Sequence, residues 1–141
     1  MNAAALRKMA NTLRQDVIRM LAGIPSGHTA GPLGMADIFA VLYFQEARVF
    51  PKSPLSKSRD YVVLSNGHIC PVLYAALARR GFFSMDLLET LRRTGSPLQG
   101  HPHRQSLPGI ETSSGPLGSG LSQAAGMALG LKMDNMSNRV F

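Results

Sequence analysis

Apolar residues recur at helical spacing at the start of the chain. Leu6, Ala10, Leu13, Val17 and Leu21 fall on one face, which predicts an amphipathic helix over residues 4–22. Met9 and Met20 widen that stripe and belong with a core rather than a site. Residues 23–34, rich in Gly and Pro, read as a loop. A second helix is expected from about Met35 to Phe44, with Asp37 in its first turn, where the helix dipole favours a carboxylate. Ile38, Phe39, Val41, Leu42 and Phe44 predict burial on most of its sides. Residues 50–60 read as surface loop.

The segment Tyr61-Val62-Val63-Leu64 is short, apolar and β-branched, the pattern of a strand buried on both faces. Pro71 suits the first turn of a helix that runs to Arg80 and stops at Gly81. Ser84 can cap the next helix, which has Asp86 in its first turn and ends at Gly95. Residues 95–119 form a long loop carrying His101, His103 and four prolines, and a loop of that length in a compact domain is usually functional. The last helix starts near Gly120 and uses Leu121, Ala124, Ala125, Met127, Ala128 and Leu131, small residues that permit close packing. Arg139-Val140-Phe141 has the pattern of a strand onset.

This order of elements is the front half of an α/β domain. One complete strand makes no sheet, and its backbone groups need neighbours. The expected architecture over residues 1–141 is therefore a parallel sheet flanked by helices, incomplete, and finished by something else. Such a chain exposes apolar surface and tends to associate. There is no internal repeat.

Composition changes this picture little. A hydrophobic content of 45% is that of an ordinary globular chain and excludes disorder. The net charge of +7 suits an anionic ligand such as a diphosphate or sugar phosphate. Basic runs and interleaved aromatics are missing and Trp is absent, which argues against nucleic acid. The single cysteine, Cys70, excludes an internal disulfide, fits a reducing compartment and reads as a packed small hydrophobe. Arg7, Lys8 and Arg14 precede no continuous apolar region, so no secretory signal is evident, and no stretch reaches membrane-spanning length. A cytoplasmic protein without membrane association is expected.

The candidate chemistry lies in loops. Three histidines occupy short motifs, Ser26-Gly27-His28, Asn66-Gly67-His68 and Gly100-His101-Pro102. Each alone reads as a solvated loop residue. His68 has the better claim, because ligands of α/β sheets bind in the crevice beyond the carboxyl ends of strands. Gly115-Pro116-Leu117-Gly118-Ser119-Gly120 precedes a helix, so its backbone amides and the helix dipole could hold an anion. The bland alternative is a tight loop-to-helix entry. No Lys-Ser or Lys-Thr follows, so it is no nucleotide P-loop, and no strand precedes it directly, as a dinucleotide fingerprint requires. The histidines lack paired spacing on a helix, so no metal ligand is expected among them.

Taken in order and at these separations, the motifs resemble transketolase, in its N-terminal, diphosphate-binding part. The matching stretches are SGHTAGPLGMADI from Ser26, YVVLSNGH from Tyr61, LQGHP from Leu98 and PGIETSSGPLGSGLSQAAGMALGLK from Pro108. The resemblance spans almost the whole chain, and the last stretch is its most specific part. The start at Met1, close to the first helix, resembles the separate N-terminal subunit of two-gene transketolases. ETSSGPLGSG looks closer to transketolase than to deoxyxylulose-phosphate synthase.

The resemblance implies a thiamine-diphosphate enzyme that moves a two-carbon ketol unit between sugar phosphates. His28 would lie beside the substrate and assist proton transfer. His101 would hydrogen-bond the hydroxyls of the transferred unit. His68 would touch the cofactor near its diphosphate, and backbone groups of Gly115, Pro116 and Leu117 would line the cofactor site. Partners implied are sugar phosphates and a C-terminal transketolase subunit or further copies of the chain. There are departures. The family commonly continues SGH with Pro-Gly, where Thr29 and Ala30 stand here, and follows GHP with an acidic residue, where His103 stands. The family's Gly-Asp-Gly motif with its downstream Asn, which holds the Mg2+ bridging the diphosphate, has no counterpart. Asp134, Asn135 and Asn138 precede the strand onset, in the wrong place. Magnesium ligands would therefore lie outside this chain, and the chain is expected to be inactive alone. An alternative is a non-catalytic homologue that binds or regulates an intact partner.

Overall fold

Helix α1 (Ala3–Ala22) starts where Asn2 accepts a hydrogen bond from the Ala5 amide at 2.9 Å, and buries Ala10, Leu13, Val17 and Met20 along one stripe. The computed structural model describes every residue, Met1–Phe141. The buried stripe of α1 meets α3 (Ala36–Val41) and α4 (Cys70–Arg80). Helix α4 is the centre of the fold. Pro71 sits in its first turn, Gly81 ends it in the left-handed conformation at φ 87°, and every residue from Cys70 to Ala78 is buried.

One polar group enters that core with its charge matched. Asp16 of α1 is 3% exposed and accepts from Arg79 of α4 through Nε at 2.7 Å and Nη2 at 2.9 Å. The fork geometry satisfies both carboxylate oxygens, which is what a buried carboxylate requires.

The expected elements differ in detail. Part of the predicted loop 23–34 winds into α2 (Ala30–Gly34), where Pro32 falls in the first turn and its missing amide costs nothing. The predicted helix from Met35 to Phe44 divides into α3 and a wide π turn, Leu42–Glu46. The helix predicted after Ser84 is a 3-10 segment, Met85–Thr90, with Ser84 accepting from the Asp86 amide. It stops at Leu91, whose ψ of 127° leaves the helical region, and Arg92 follows at φ 59° with its amide on the Leu98 carbonyl at 2.8 Å.

The predicted parallel sheet is not formed within these residues. Tyr61 and Val140 make a single isolated parallel bridge. The Tyr61 amide donates to Arg139, the Phe141 amide to Tyr61 and the Val63 amide to Phe141, each at 2.9 Å. The pairing direction is that of a parallel sheet, but two segments supply too few backbone partners for a ladder. Helix α5 (Ser119–Met133) closes the order of elements. The close packing expected of it is absent, since Gly120 alone is buried and Leu121, Leu129 and Met133 are 60–74% exposed. No helix is long and apolar enough to cross a membrane.

Candidate functional site

The bridge at Tyr61 is held by the residue before it. Asp60 is fully buried and accepts from the Arg48 amide at 3.0 Å, the Arg139 amide at 2.8 Å and both guanidinium groups. Burial alone would raise its pKa; the hydrogen bonds from Arg48 and Arg139 overcome this and hold the carboxyl well below the usual carboxylate range. This clamp anchors the start of Tyr61-Val62-Val63-Leu64, the segment that leads into the loop Ser65-Asn66-Gly67-His68.

Helix α4 fixes the second histidine loop. The Cys70 thiol donates to the Gly100 carbonyl at 3.2 Å and the Tyr74 hydroxyl to the Gln99 carbonyl at 2.8 Å, so the peptide leading into His101 is pinned to the helix start. Burial pushes the Cys70 thiol up to about 12, against an opposing hydrogen bond with Tyr74. Cys70 is thus a packed donor and not a nucleophile, in agreement with its sequence reading.

The glycine loop closes onto both. The Ser114 amide donates to the Pro102 carbonyl at 3.1 Å, and the Gly118 amide to the Ser65 carbonyl at 3.3 Å. Gly67 lies so close to Ser114 that a Cβ there would sit 2.8 Å from the Ser114 carbonyl oxygen. Only glycine permits that approach. His28 arrives from the other side, carried by the turn before α2. Its ring centroid lies 4.9 Å from that of His68, tilted by 57°.

The structure thus brings His28, His68 and His101 together. His28 and His101 are exposed and His68 half-buried. Partial loss of hydration, then the Arg92 guanidinium and the imidazoles of His28 and His68, hold the His101 pKa below that of an ordinary histidine. The charges acting on His101 are therefore all basic, which suits an anionic or electron-rich ligand. Gly115 is half-buried at the rim, while Pro116 and Leu117 are exposed, Leu117 by 72%. Ser114, at the base of this loop, has a buried hydroxyl with no hydrogen-bond partner. An orphan of this kind marks a place where a polar group is expected. Beside it the Gly115 and Leu117 amides are taken by no backbone hydrogen bond and suit a group bearing acceptor oxygens, whereas Pro116 has no amide hydrogen to give. No group of three or more His, Cys, Asp or Glu side chains is placed to hold a metal ion, so these residues do not by themselves fit one.

Three contributors escaped the sequence motifs. Asp60 and Arg92 carry no local signal, because their partners are distant in the chain. Ser114 stands directly before the glycine-rich stretch, and only its burial singles it out. His103, two residues from His101, is exposed.

The loops that carry His28, His68 and His101, together with the glycine loop, form the candidate site, and comparison with known proteins supplies the family. The description "Transketolase, thiamine diphosphate binding domain" matches residues 5–139. The chain belongs to that family. It is 39% identical over 136 residues to the 6-deoxy-6-sulfo-D-fructose transketolase subunit SqwG of Clostridium sp. (strain MSTE9), covering 96% of this chain and 50% of the relative. It is 36% identical over 141 residues to an apulose-4-phosphate transketolase subunit from Phocaeicola vulgatus, covering 100% of this chain and again 50% of the relative. Among solved structures, transketolase from Campylobacter jejuni superposes with a TM-score of 0.88 at 38% identity, over 94% of this chain and 21% of that one. The chain thus spans about half the length of these two subunits and about a fifth of the full transketolase.

Proposed function

We propose that this chain supplies the histidine and diphosphate-holding part of a thiamine-diphosphate enzyme that transfers a two-carbon ketol unit between sugar phosphates. The observation that carries this reading is the convergence of His28, His68 and His101 beside the open Gly115–Leu117 backbone. Thiamine diphosphate, when bound, supplies the electron sink that lets the bond beside a ketone break and re-form.

The chain's own residues then have distinct tasks. His28, exposed at the rim, moves a proton at the substrate. His101, whose pKa partial burial and then its basic neighbours hold below the ordinary value, donates to or accepts from the hydroxyls of the transferred unit. His68 meets the cofactor near its diphosphate. Backbone groups of Gly115, Pro116 and Leu117 line the cofactor site, and the Ser114 hydroxyl offers a further donor at its base. Any magnesium bound with the cofactor would take its ligands from residues outside this chain. The remaining machinery comes from a C-terminal subunit, and the assembly holds more than one copy of each. Two observations support this: both relatives of which the chain covers 50% are named as subunits, and α5 presents bare apolar surface. The enzyme works in the cytoplasm, in exchange chemistry of the pentose phosphate type.

The test is calorimetric titration of thiamine diphosphate with Mg2+ into the full chain, alone and mixed with a C-terminal transketolase subunit. Binding to the mixture is expected, weakened roughly tenfold or more by His68→Ala, as the loss of a hydrogen bond to a charged group implies. In ketol-transfer assays of the mixture, His28→Ala should lower turnover by a factor of about 10² to 10⁴. The chain alone should turn nothing over. Absence of cofactor binding in both samples overturns the reading. Cofactor binding with no transfer in the mixture leaves a non-catalytic partner instead.

A further inference from the structure

The loops that carry His28 and His101 are distant in the chain, and one side chain touches both. Arg92 follows the 3-10 segment Met85–Thr90 and adopts φ 59°, an unusual conformation for a side chain other than glycine or asparagine. Its amide bonds the Leu98 carbonyl at 2.8 Å, which fixes the direction of the side chain. The guanidinium Nη1 then donates to Ser26 Oγ at 2.7 Å, two residues before His28. The same guanidinium lies flat against Gly100, the residue before His101; a Cβ on Gly100 would stand 2.8 Å from its Cζ and Nη2. The missing side chain at Gly100 leaves the room that the guanidinium occupies.

We propose that Arg92 is the positioning residue of the histidine site, tying the Ser26 loop to the Gly100 loop so that His28 and His101 face one ligand. The proposal rests on the transketolase reading for what the site does, and on geometry alone for what Arg92 does. Arg92 has no carboxylate partner that would give its charge another purpose; its side-chain hydrogen bond goes to a neutral hydroxyl. A planar fork suits the task because it can hold a hydroxyl at one edge and cover a peptide with its face, which a lysine ammonium cannot. Its charge also acts on the site. His101 faces Arg92, His28 and His68, and each of these opposes its protonation. These neighbours add to the effect of partial burial in favouring the neutral imidazole, which can both donate and accept.

The experiment is NMR of the isotope-labelled full chain without ligand, comparing the natural protein with Arg92→Ala, Arg92→Lys and Ser26→Ala. The readouts are the His101 titration midpoint and the cross-relaxation between the His28 and His68 rings, whose centroids are 4.9 Å apart. Arg92→Ala should move the His101 midpoint upward and abolish the cross-relaxation. Arg92→Lys should keep the His101 midpoint nearer the natural value yet lose the cross-relaxation. Ser26→Ala should weaken only the cross-relaxation. An unchanged midpoint and unchanged cross-relaxation in folded Arg92→Ala overturn the proposal. If Arg92→Ala does not fold, the other two variants decide it, since a merely structural arginine predicts no difference between the two readouts. Failure of the mixture to transfer ketol units would sink the proposed function while leaving these measurements intact.

Discussion

Helices α4 and α5 are both rich in alanine, leucine and other small apolar residues, yet α4 buries nine consecutive residues, Cys70 to Ala78, while α5 buries only Gly120. Their difference is one of neighbours. Around α4 stand α1, α3 and the turn at residues 85–90, each offering an apolar face at a distance the chain can span. α5 is reached after a long loop and lies outside that ring, anchored at its start by the Gly118 bond to Ser65. An apolar helix announces that it needs a cover; it does not say which element provides it. The contrast also divides labour. The α4 side is the rigid platform that pins the His68 and His101 loops, and the α5 side is where further protein is expected.

The contrast can be broken most sharply at Leu77, which is fully buried in α4. Leu77→Ala should cost about 2–5 kcal/mol in urea unfolding of the chain. Leu129→Ala in α5 should cost less than about 0.5 kcal/mol there, because Leu129 is 60% exposed. Equal costs would mean that α5 is covered in the free chain.

The next effect belongs to the clamp at the bridge. Asp60→Asn should cost about 2 kcal/mol, since hydrogen bonds to the buried carboxylate are lost while Arg48 and Arg139 remain half-exposed to water. Its pH dependence has a definite sign. The folded pKa lies below the unfolded one, so the stabilisation is complete above about 3.9 and is lost as pH falls from there toward the lower folded value. Acid unfolding should therefore be less steep in Asp60→Asn.

A comparable loss is expected at the junction of the two regions. Gly67→Ala drives a methyl into the Ser114 backbone and should cost about 1–3 kcal/mol while displacing the glycine loop. Weakened cofactor binding in the assembled enzyme would accompany it. The smallest effect is at His101. Its folded pKa is lowered, so the folded chain binds fewer protons and stability falls as pH drops below about 6.5. His101→Gln should flatten that slope, read from thermal midpoints across pH.

Much of this was legible in the residues. The stripe of α1, the Pro71 start and Gly81 stop of α4, the long loop and the histidine motifs with their glycines are local signals, set by periodicity and backbone conformation that a few neighbouring residues determine. The four motif stretches also carried the family, because motif order and separation survive without knowledge of any contact. The tertiary structure decided the rest. Whether Tyr61–Leu64 became part of a ladder depended on how many backbone partners stood beside it, and only residues 139–141 did. Whether the segment after Ser84 continued as a helix was decided where Leu91 left the helical region and Arg92 met Leu98 and Ser26. Whether an apolar helix was buried or bare depended on which faces surrounded it. These outcomes rest on contacts between residues tens of positions apart, and no local pattern encodes which distant partner will be there.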